Sequence, residues 1–156
     1  MSASSRKTAA PATAARSGGA TRIAVERTLG ETKRAVAAGL RVYNRSRLGP
    51  FKGESLAVSL RDDRGAIVGG LFGEIWLDWL HIDRLWIDES QRGAGIGAQL
   101  LATAEAEARR RGARHVHLDS FTFQAPDFYK KLGYREFGRL ADFPTGHERV
   151  FLTKTL

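Results

Sequence analysis

The sequence predicts a single α/β domain with a mixed, largely antiparallel and twisted sheet of about six to seven strands and three to four helices. Two patterns lead to this fold class. The first half of the chain contains short alternating segments separated by tight turns, which is typical of an antiparallel meander. The second half contains a strand, a long helix and another strand, an order that favours a parallel pair joined by a right-handed crossover.

The first half should contain one helix and four short strands. Apolar residues recur at helical spacing over residues 31–47, and Gly49 followed by Pro50 ends this helix. The turn residues 62–65 lie between two alternating segments, so we expect a hairpin there. The predicted strands of this half are residues 22–27, 55–60, 66–75 and 80–87.

The second half is dominated by one long amphipathic helix, predicted over residues 95–111 and ended by Gly112. Its surface should carry two acid–base pairs at four-residue spacing, Glu105 with Arg109 and Glu107 with Arg111. The remaining predicted elements are a strand at 115–119, a short helix at 126–132, and strands at 134–140 and 148–154.

The composition narrows the class of protein. With 156 residues, 42% of them hydrophobic, the chain has the size and apolar content of one globular domain. The lack of cysteine in the sequence excludes disulfides, thiolate metal sites and a cysteine nucleophile. His115 and His117 have no acidic or cysteine partner at ligand spacing, so no metal site is predicted. No apolar run is long enough to span a membrane, so we expect no membrane partner and a cytoplasmic location.

The net charge of +8 is unevenly distributed. Residues 1–22 hold four basic residues and no acid, which leaves 21 basic against 17 acidic residues in the remainder. Residues 1–20 are rich in Ala, Ser and Thr and have no apolar face. We therefore expect a disordered leader, with a transit peptide as the alternative, before a domain at 21–156. No base-reading or stacking motif accompanies the charge, so nucleic acid is not an expected partner.

An apolar strand leads into the long helix through a glycine-rich segment, the glycine loop, with the sequence Arg92-Gly93-Ala94-Gly95-Ile96-Gly97-Ala98. Glycines let the backbone come close to a ligand, and the first N–H groups of a helix have no partner within it. Together with the helix dipole, these groups form an anion site suited to a pyrophosphate.

Two nucleotide-binding classes use similar loops. A P-loop is excluded because no Gly-Lys-Ser/Thr follows the glycines. A dinucleotide turn would use Gly93, Gly95 and Ala98, with Asp119 as the acid that bonds the ribose. Five residues separate the preceding strand from Gly93, and the upstream strands form a meander. Both features disfavour the dinucleotide turn, in which the loop follows its strand almost directly.

Two motifs, in this order, resemble the GNAT superfamily of N-acetyltransferases. Arg92-x-x-Gly95-x-Gly97 is similar to the coenzyme A pyrophosphate signature of that family, and residues 125–134 are similar to its A-x-x-F-Y-x-x-x-G-[FY] element. The resemblance covers all of the chain except the leader. It implies an N-acetyltransferase domain that moves an acetyl group from acetyl-CoA, its co-substrate, to the primary amine of an acceptor by direct attack in a ternary complex.

The resemblance also implies roles for individual residues. Tyr129 lies where the family places the tyrosine that gives a proton to the departing thiolate. Backbone N–H groups around residues 85–87 would bond the oxyanion. Thr122 stands where relatives often carry the asparagine that holds the pantetheine arm, with Gln124 close by. The implied cofactor-binding residues are Leu85, Trp86, Ile87, Arg92, Gly93, Ala94, Gly95, Ile96, Gly97, Ala98 and Gln124.

The general base is less determined than the acid. Strict alternation along the strand at 80–87 would put His81 and Asp83 on the same face as Leu85 and Ile87. In many relatives a glutamate six residues before Ile87 acts as the general base; this chain has His81 at that position. The imidazole of His81 can accept the proton directly or through water, while Asp83 orients it or holds the cationic amine. The alternatives are that hydrogen bonds within the sheet satisfy both side chains, or that a water chain is the base.

The resemblance leaves the acceptor and the partners open. We expect a small-molecule amine, with a protein amine as the alternative, and a homodimer is left open. By resemblance, the loop at 141–147 and the helix end near Tyr43 lie close to the acceptor. The alternative to an enzyme is a non-catalytic module that binds coenzyme A or a nucleotide.

Overall fold

The computed structural model describes residues 21–156. They belong to two units, Met1–Tyr43 and Asn44–Leu156, and the predicted leader at 1–20 lies outside the described part. Helix α1, Gly30–Leu48, begins one residue before the predicted helix and ends one residue after it. Among residues 21–156, no helix has both the length and the apolarity to cross a membrane.

The first predicted strand does not form. Residues 22–27 have no strand conformation, and the side chains of Ile23 and Val25 are fully exposed. Two β-branched side chains in a six-residue segment favour extended backbone only weakly, because strand preference depends on neighbours that pack and pair with it. The prediction was therefore wrong, and the sheet has six strands.

The second unit contains that sheet and two helices. Its strand order is β1-β2-β3-β4-β6-β5, and every neighbouring pair is antiparallel except β3 with β4, which is parallel as predicted. The elements are β1 Glu54–Arg61, β2 Ile67–Trp76, β3 Trp79–Ile87, α2 Ile96–Arg110, β4 His115–Phe121, α3 Pro126–Lys131, β5 Arg135–Leu140 and β6 Arg149–Thr155.

The hairpin between β1 and β2 follows from its turn residues. One carboxylate oxygen of Asp62 accepts hydrogen bonds from the backbone N–H groups of Arg64, at 3.0 Å, and Ala66, at 2.8 Å. Gly65 has a φ of +82°, a conformation that glycine adopts without steric cost. The Asp and Gly of this turn therefore fix the register that begins the meander.

The parallel strands β3 and β4 separate soon after they meet. They pair at three positions only, from Trp79 opposite His115 to His81 opposite His117. Beyond this point β4 pairs with β6 alone, through Phe121, while β3 continues beside β2 to Ile87. A gap therefore opens between the two central strands toward their carboxyl ends.

A β-bulge lies where the gap begins. On β2, Phe72 is opposite Arg84 and Gly73 is opposite Ile82, so Asp83 has no opposite residue. A Cβ atom at Gly73 would overlap the carbonyl oxygen of His81, so the close approach of the strands here requires glycine. One extra residue reverses the alternation of the strand. The prediction that His81 and Asp83 share a face with Leu85 and Ile87 was therefore wrong.

Both helices of the second unit cover the same core. Helix α2 packs against β1, β2 and β3, and α3 packs against β4. The core residues that they enclose include Leu56, Leu71, Leu80, Leu101, Val116 and Leu152.

One charged residue of α2 points into this core. Glu105 was predicted to pair with Arg109 on the surface, but only 5% of it is exposed. Its carboxylate accepts hydrogen bonds from the Tyr134 hydroxyl, at 2.9 Å, and from the Lys154 Nζ atom, at 2.8 Å. The surface pair of Glu107 with Arg111 forms as predicted. Glu105 instead ties α2 to the chain after α3 and to β6, because a buried carboxylate needs partners for both oxygens.

We expect Glu105→Ala to lower the free energy of unfolding by about 3 kcal/mol, since it leaves the partly buried Lys154 ammonium without its carboxylate. Urea denaturation measures the change. Glu107→Ala is the matched control on the same helix, because Glu107 bonds only exposed arginines, and it should cost much less. Equal losses in the two variants would contradict the structural role of Glu105.

Candidate active site

A cavity of about 1020 Å³ occupies the gap between β3 and β4. Its walls come from the end of β3, the glycine loop, the end of β4 and the start of α3, with one residue from β6. Eleven of the fourteen site residues predicted from the sequence line it: Asp83, Leu85, Trp86, Ile87, Arg92, Gly93, Gly95, Ile96, Gly97, Gln124 and Tyr129. His81, Ala94 and Ala98 do not.

The glycine loop presents its backbone to the cavity. Gly93 and Gly95 have φ values of +88° and +75°, and a Cβ atom at either position would meet nothing within 4 Å. Glycine is therefore favoured at these two positions by the positive φ angle and not by a lack of space for a side chain. Helix α2 begins after Gly95 without a side-chain cap. Its first N–H groups are available to an anion, and the positive end of the helix dipole adds to this attraction.

Gly97 has a different role from the other glycines. A Cβ atom there would lie 3.0 Å from the ring of Phe128 and 3.4 Å from the Ile87 side chain. Gly97 therefore lets the first turn of α2 pack closely against α3 and the end of β3. This contact fixes the distance between the glycine loop and Tyr129, which lies next to Phe128.

Arg92 is anchored at the base of the glycine loop. Its Nε atom donates a hydrogen bond to the carbonyl of Ile87 at 3.0 Å, and its side chain is also 3.5 Å from the Glu89 carboxylate. A short 3-10 turn, Glu89–Gln91, precedes it and is capped by Asp88. The hydrogen bonds from Ser90 lower the pKa of the Asp88 carboxyl. Arg92 thus brings a fixed positive charge to the same wall as the helix terminus.

The end of β3 has a free edge toward the cavity. Leu85, Trp86 and Ile87 all line the cavity; Leu85 and Ile87 also pack against the core, whereas Trp86 is 53% exposed. Because β3 has no β4 partner after His81, the backbone groups on this edge are not used by the sheet. Such groups can donate to an oxygen atom of a ligand in the gap.

Tyr129 lies at the opposite wall, on α3. The side chain is 9% exposed and packs between Phe128 and Tyr134, with ring centroids 5.0 and 5.8 Å away. Its hydroxyl makes no hydrogen bond with any described residue. Burial raises the pKa of the Tyr129 phenol, and the nearby Asp119 carboxylate raises it further. A phenol, whose usual pKa is about 10, is protonated at neutral pH with or without this shift, and Tyr129 lines the cavity.

His81 and Asp83 lie in separate environments. His81 stacks on His117 with ring centroids 4.6 Å apart, on the paired part of β3 and β4. Burial lowers the pKa of His117, and His81 lowers it further. Asp83 lines the cavity and accepts a hydrogen bond from Arg84 at 2.7 Å. The bulge lies between these residues, and of the two only Asp83 lines the cavity.

Gln124 and Thr122 also differ in placement. Gln124 lines the cavity, and its side-chain oxygen accepts a hydrogen bond from the Phe121 N–H at 3.0 Å. Its amide NH₂ group makes no bond with a described residue. Thr122 ties its own segment to Glu148, whose N–H donates to the Thr122 hydroxyl at 3.0 Å. Gln124 is thus the side chain that can hold a ligand amide.

The structure adds a charged pair that the sequence did not predict. Arg149 donates two hydrogen bonds of 2.7 Å to the Asp119 carboxylate, one to each oxygen. Asp119 is the acid that a dinucleotide turn would use to bond the ribose, and here both of its oxygens are bonded to Arg149, thirty residues away in the sequence. The alternation of Asp119 with Phe121 along β4 was the available signal for these residues. Other lining residues without a prediction are Arg84, Gln91, Ser120, Phe121, Phe123, Ala125 and Phe128.

Among the described residues 21–156, no three His, Cys, Asp or Glu side chains are grouped in a way that could hold a metal ion.

Comparison with known proteins identifies similar chains. Residues 53–136 match the sequence family described as "Acetyltransferase (GNAT) domain". The chain is 43% identical over 95 residues to the Blasticidin-S acetyltransferase of Streptomyces morookaense. The matched segment covers 60% of this chain and 70% of that protein. It is 33% identical over 124 residues to the Acetyltransferase Atu2258 of Agrobacterium fabrum, covering 80% and 90% of the two chains.

Solved structures give the same result. A crystal structure of an acetyltransferase from Bacillus cereus superposes with a TM-score of 0.79 and 39% identity, covering 86% of this chain and 98% of that one. A putative acetyltransferase from Agrobacterium tumefaciens superposes with a TM-score of 0.80 and 30% identity, covering 88% and 100%. The similarity therefore extends well beyond the glycine loop.

The raised pKa of Tyr129 can be measured directly. We expect the phenolate absorbance of the wild type minus that of Tyr129→Phe to rise with a midpoint above about 10, the usual value for tyrosine. Because the folded state favours the protonated phenol, this residue's contribution to stability should be lost as the pH rises above about 10. A midpoint at or below 10 would contradict the burial of this hydroxyl.

Proposed function

Because the chain belongs to the GNAT superfamily of acetyltransferases, whose co-substrate is acetyl-CoA, we propose that it transfers the acetyl group directly to the primary amine of a small molecule. Acetyl-CoA and the acceptor are bound together, without a covalent enzyme intermediate. One observation carries the proposal: a single cavity joins the glycine loop, the free edge of β3 and Tyr129. These are the groups that would hold the diphosphate, the acetyl oxygen and the sulfur.

The diphosphate of acetyl-CoA fits the wall formed by the glycine loop. Gly93 and Gly95 leave the backbone open, and the first N–H groups of α2 are free to bind oxygen atoms. Arg92 adds a positive charge beside them. The pantetheine arm would then run along the gap, where Gln124 offers its amide NH₂ group to a ligand carbonyl.

The reaction forms a C–N bond and breaks the C–S bond of the thioester. Attack by the amine places negative charge on the acetyl oxygen, and backbone N–H groups near residues 85–87 would stabilise this oxyanion. The departing thiolate takes a proton from Tyr129, while the nitrogen that has attacked loses a proton to water, from which the Tyr129 phenolate is reprotonated. A phenol suits this role because it is protonated at neutral pH and its usual pKa of about 10 lies close to that of a thiol.

The attacking amine must first lose a proton, because an alkyl ammonium has a pKa of about 10. Asp83 is the better candidate for this step than His81, since Asp83 lines the cavity. Asp119 is a poor base because both of its oxygens accept hydrogen bonds from Arg149. We assign Asp83 the role of holding the ammonium and passing its proton to water.

A small-molecule acceptor is supported by one relative, the Blasticidin-S acetyltransferase, whose name gives an antibiotic as its substrate. The other candidates are a protein amine as acceptor and a non-catalytic module that binds coenzyme A. Tyr129 lines the cavity with a hydroxyl that bonds no described residue, which favours catalysis over simple binding. A screen of amines that follows free thiol release would identify the acceptor, and we would include blasticidin S in it.

We expect Tyr129→Phe to lower kcat about 100-fold while the KM for acetyl-CoA changes little, because the phenol acts on the leaving sulfur only in the transition state. Thiol release measures both parameters. Phe137→Tyr, an exposed ring on β5 outside the cavity, is a control that should change neither. Unchanged kcat in Tyr129→Phe would remove this residue from the role of acid.

We expect Asp83→Asn to lower kcat/KM for the acceptor about tenfold or more and to leave the KM for acetyl-CoA unchanged, since it removes the carboxylate that holds the ammonium. His81→Asn should have a small effect, because the His81 side chain lies outside the cavity lining. Initial rates across a pH series measure both variants. A large loss in His81→Asn with none in Asp83→Asn would return His81 to the role of base.

A further inference from the structure

The cavity has an aromatic half that the proposed chemistry does not use. Trp86 lines it from β3, and Phe121 and Phe123 line it from the end of β4. These rings face the same space as Asp83, and none of them lies in the glycine loop. The aromatic half is thus placed to meet the acceptor, while the glycine loop meets the diphosphate.

Phe121 and Phe123 form a stacked pair. Their ring centroids are 5.1 Å apart and their planes differ by 9°. Phe121 ends β4, and Phe123 lies in the turn that follows the strand. Phe123 nevertheless remains 54% exposed. A large aromatic surface that stays open within a cavity is the kind of surface that a ligand covers.

The stacked pair is held in place by the loop at 141–147. Phe143 meets Phe121 edge to face at 5.9 Å, and His147 meets Phe123 at 5.0 Å. The loop is closed by hydrogen bonds within it, from the Phe143 N–H to the His147 carbonyl at 2.9 Å and from the Gly146 N–H to Asp142 at 2.8 Å. The rings are therefore fixed before a ligand arrives, which reduces the entropy lost on binding.

The positive charge of Arg149, next to these rings, is neutralised by Asp119. The Arg149 guanidinium lies 5.6 Å from the Phe121 ring centroid and bonds both oxygens of Asp119. Asp83 is therefore the carboxylate of this half that can hold a cation, since its partner Arg84 is exposed and approaches only one of its oxygens. The surface combines a flat apolar platform with one carboxylate.

From this arrangement we propose that the acceptor is an amine joined by a short linker to a planar ring, and that the ring stacks on Phe123 while the amine bonds Asp83. The inference rests on the proposed function and specifies its acceptor class. A flexible aliphatic polyamine would gain the contact to Asp83 but not the stacking. Stacking of a planar ring on an aromatic side chain should raise selectivity about tenfold, which corresponds to about 1.4 kcal/mol.

The test compares two amines of equal chain length and carbon number, 2-phenylethylamine and 2-cyclohexylethylamine, by thiol release with acetyl-CoA. We expect the wild type to prefer the planar amine about tenfold in kcat/KM, and Phe123→Leu to reduce that preference to about twofold or less. The KM for acetyl-CoA should stay unchanged. Comparing the same two amines across variants cancels the difference in their basicity. Phe137→Leu, exposed and outside this cavity, is the matched control and should keep the preference.

Three results would overturn the proposal. The preference could be absent in the wild type, it could survive in Phe123→Leu, or neither amine could be acetylated. A rise in the KM for acetyl-CoA with an unchanged preference would assign Phe123 to the cofactor instead. Thermal stabilisation by acetyl-CoA, measured in parallel, separates these results from failure of the proposed function, in which the co-substrate would not stabilise the protein at all.

Discussion

The parting of β3 from β4 after three residue pairs is the constraint on which the rest of the site depends. Paired central strands satisfy each other's backbone groups and leave no room for a ligand. Here the bulge at Asp83 and the close approach at Gly73 turn the end of β3 away from β4. The edge groups that the sheet does not use then face a cavity. The core behind the gap keeps its packing through Gly97, which lets α2 approach Phe128.

Several charged groups in the site already have hydrogen-bond partners within the protein. Arg149 engages Asp119, Arg92 is anchored to the end of β3, and burial raises the pKa of the Tyr129 phenol. In the proposed function the glycine loop would bind through main-chain groups, which need no side chain and impose little specificity. Acceptor selection would then arise on the other half of the cavity, where side chains such as Phe123 differ in shape and charge.

Local patterns predicted most of this arrangement. The glycine loop and the short helix carrying Tyr129 were found because each depends on residues close together in sequence, as were the hairpin around Asp62 and the parallel pair of strands. The wrong predictions concern residues whose placement depends on partners far away in the sequence. Alternation alone put His81 on the wrong face because the bulge depends on pairing with β2. Glu105 points into the core because it bonds Lys154 on β6. The pairing of Arg149 with Asp119 likewise requires the fold.

In the proposed function, backbone groups in the gap between β3 and β4 hold acetyl-CoA. Amide nitrogen–proton NMR spectra recorded during a titration with acetyl-CoA test this residue by residue. We predict that the largest shifts fall at residues 85–87, at the end of β3, and at residues 92–98, in the glycine loop. Saturable binding whose largest shifts fall elsewhere, with these amides unchanged, would contradict it.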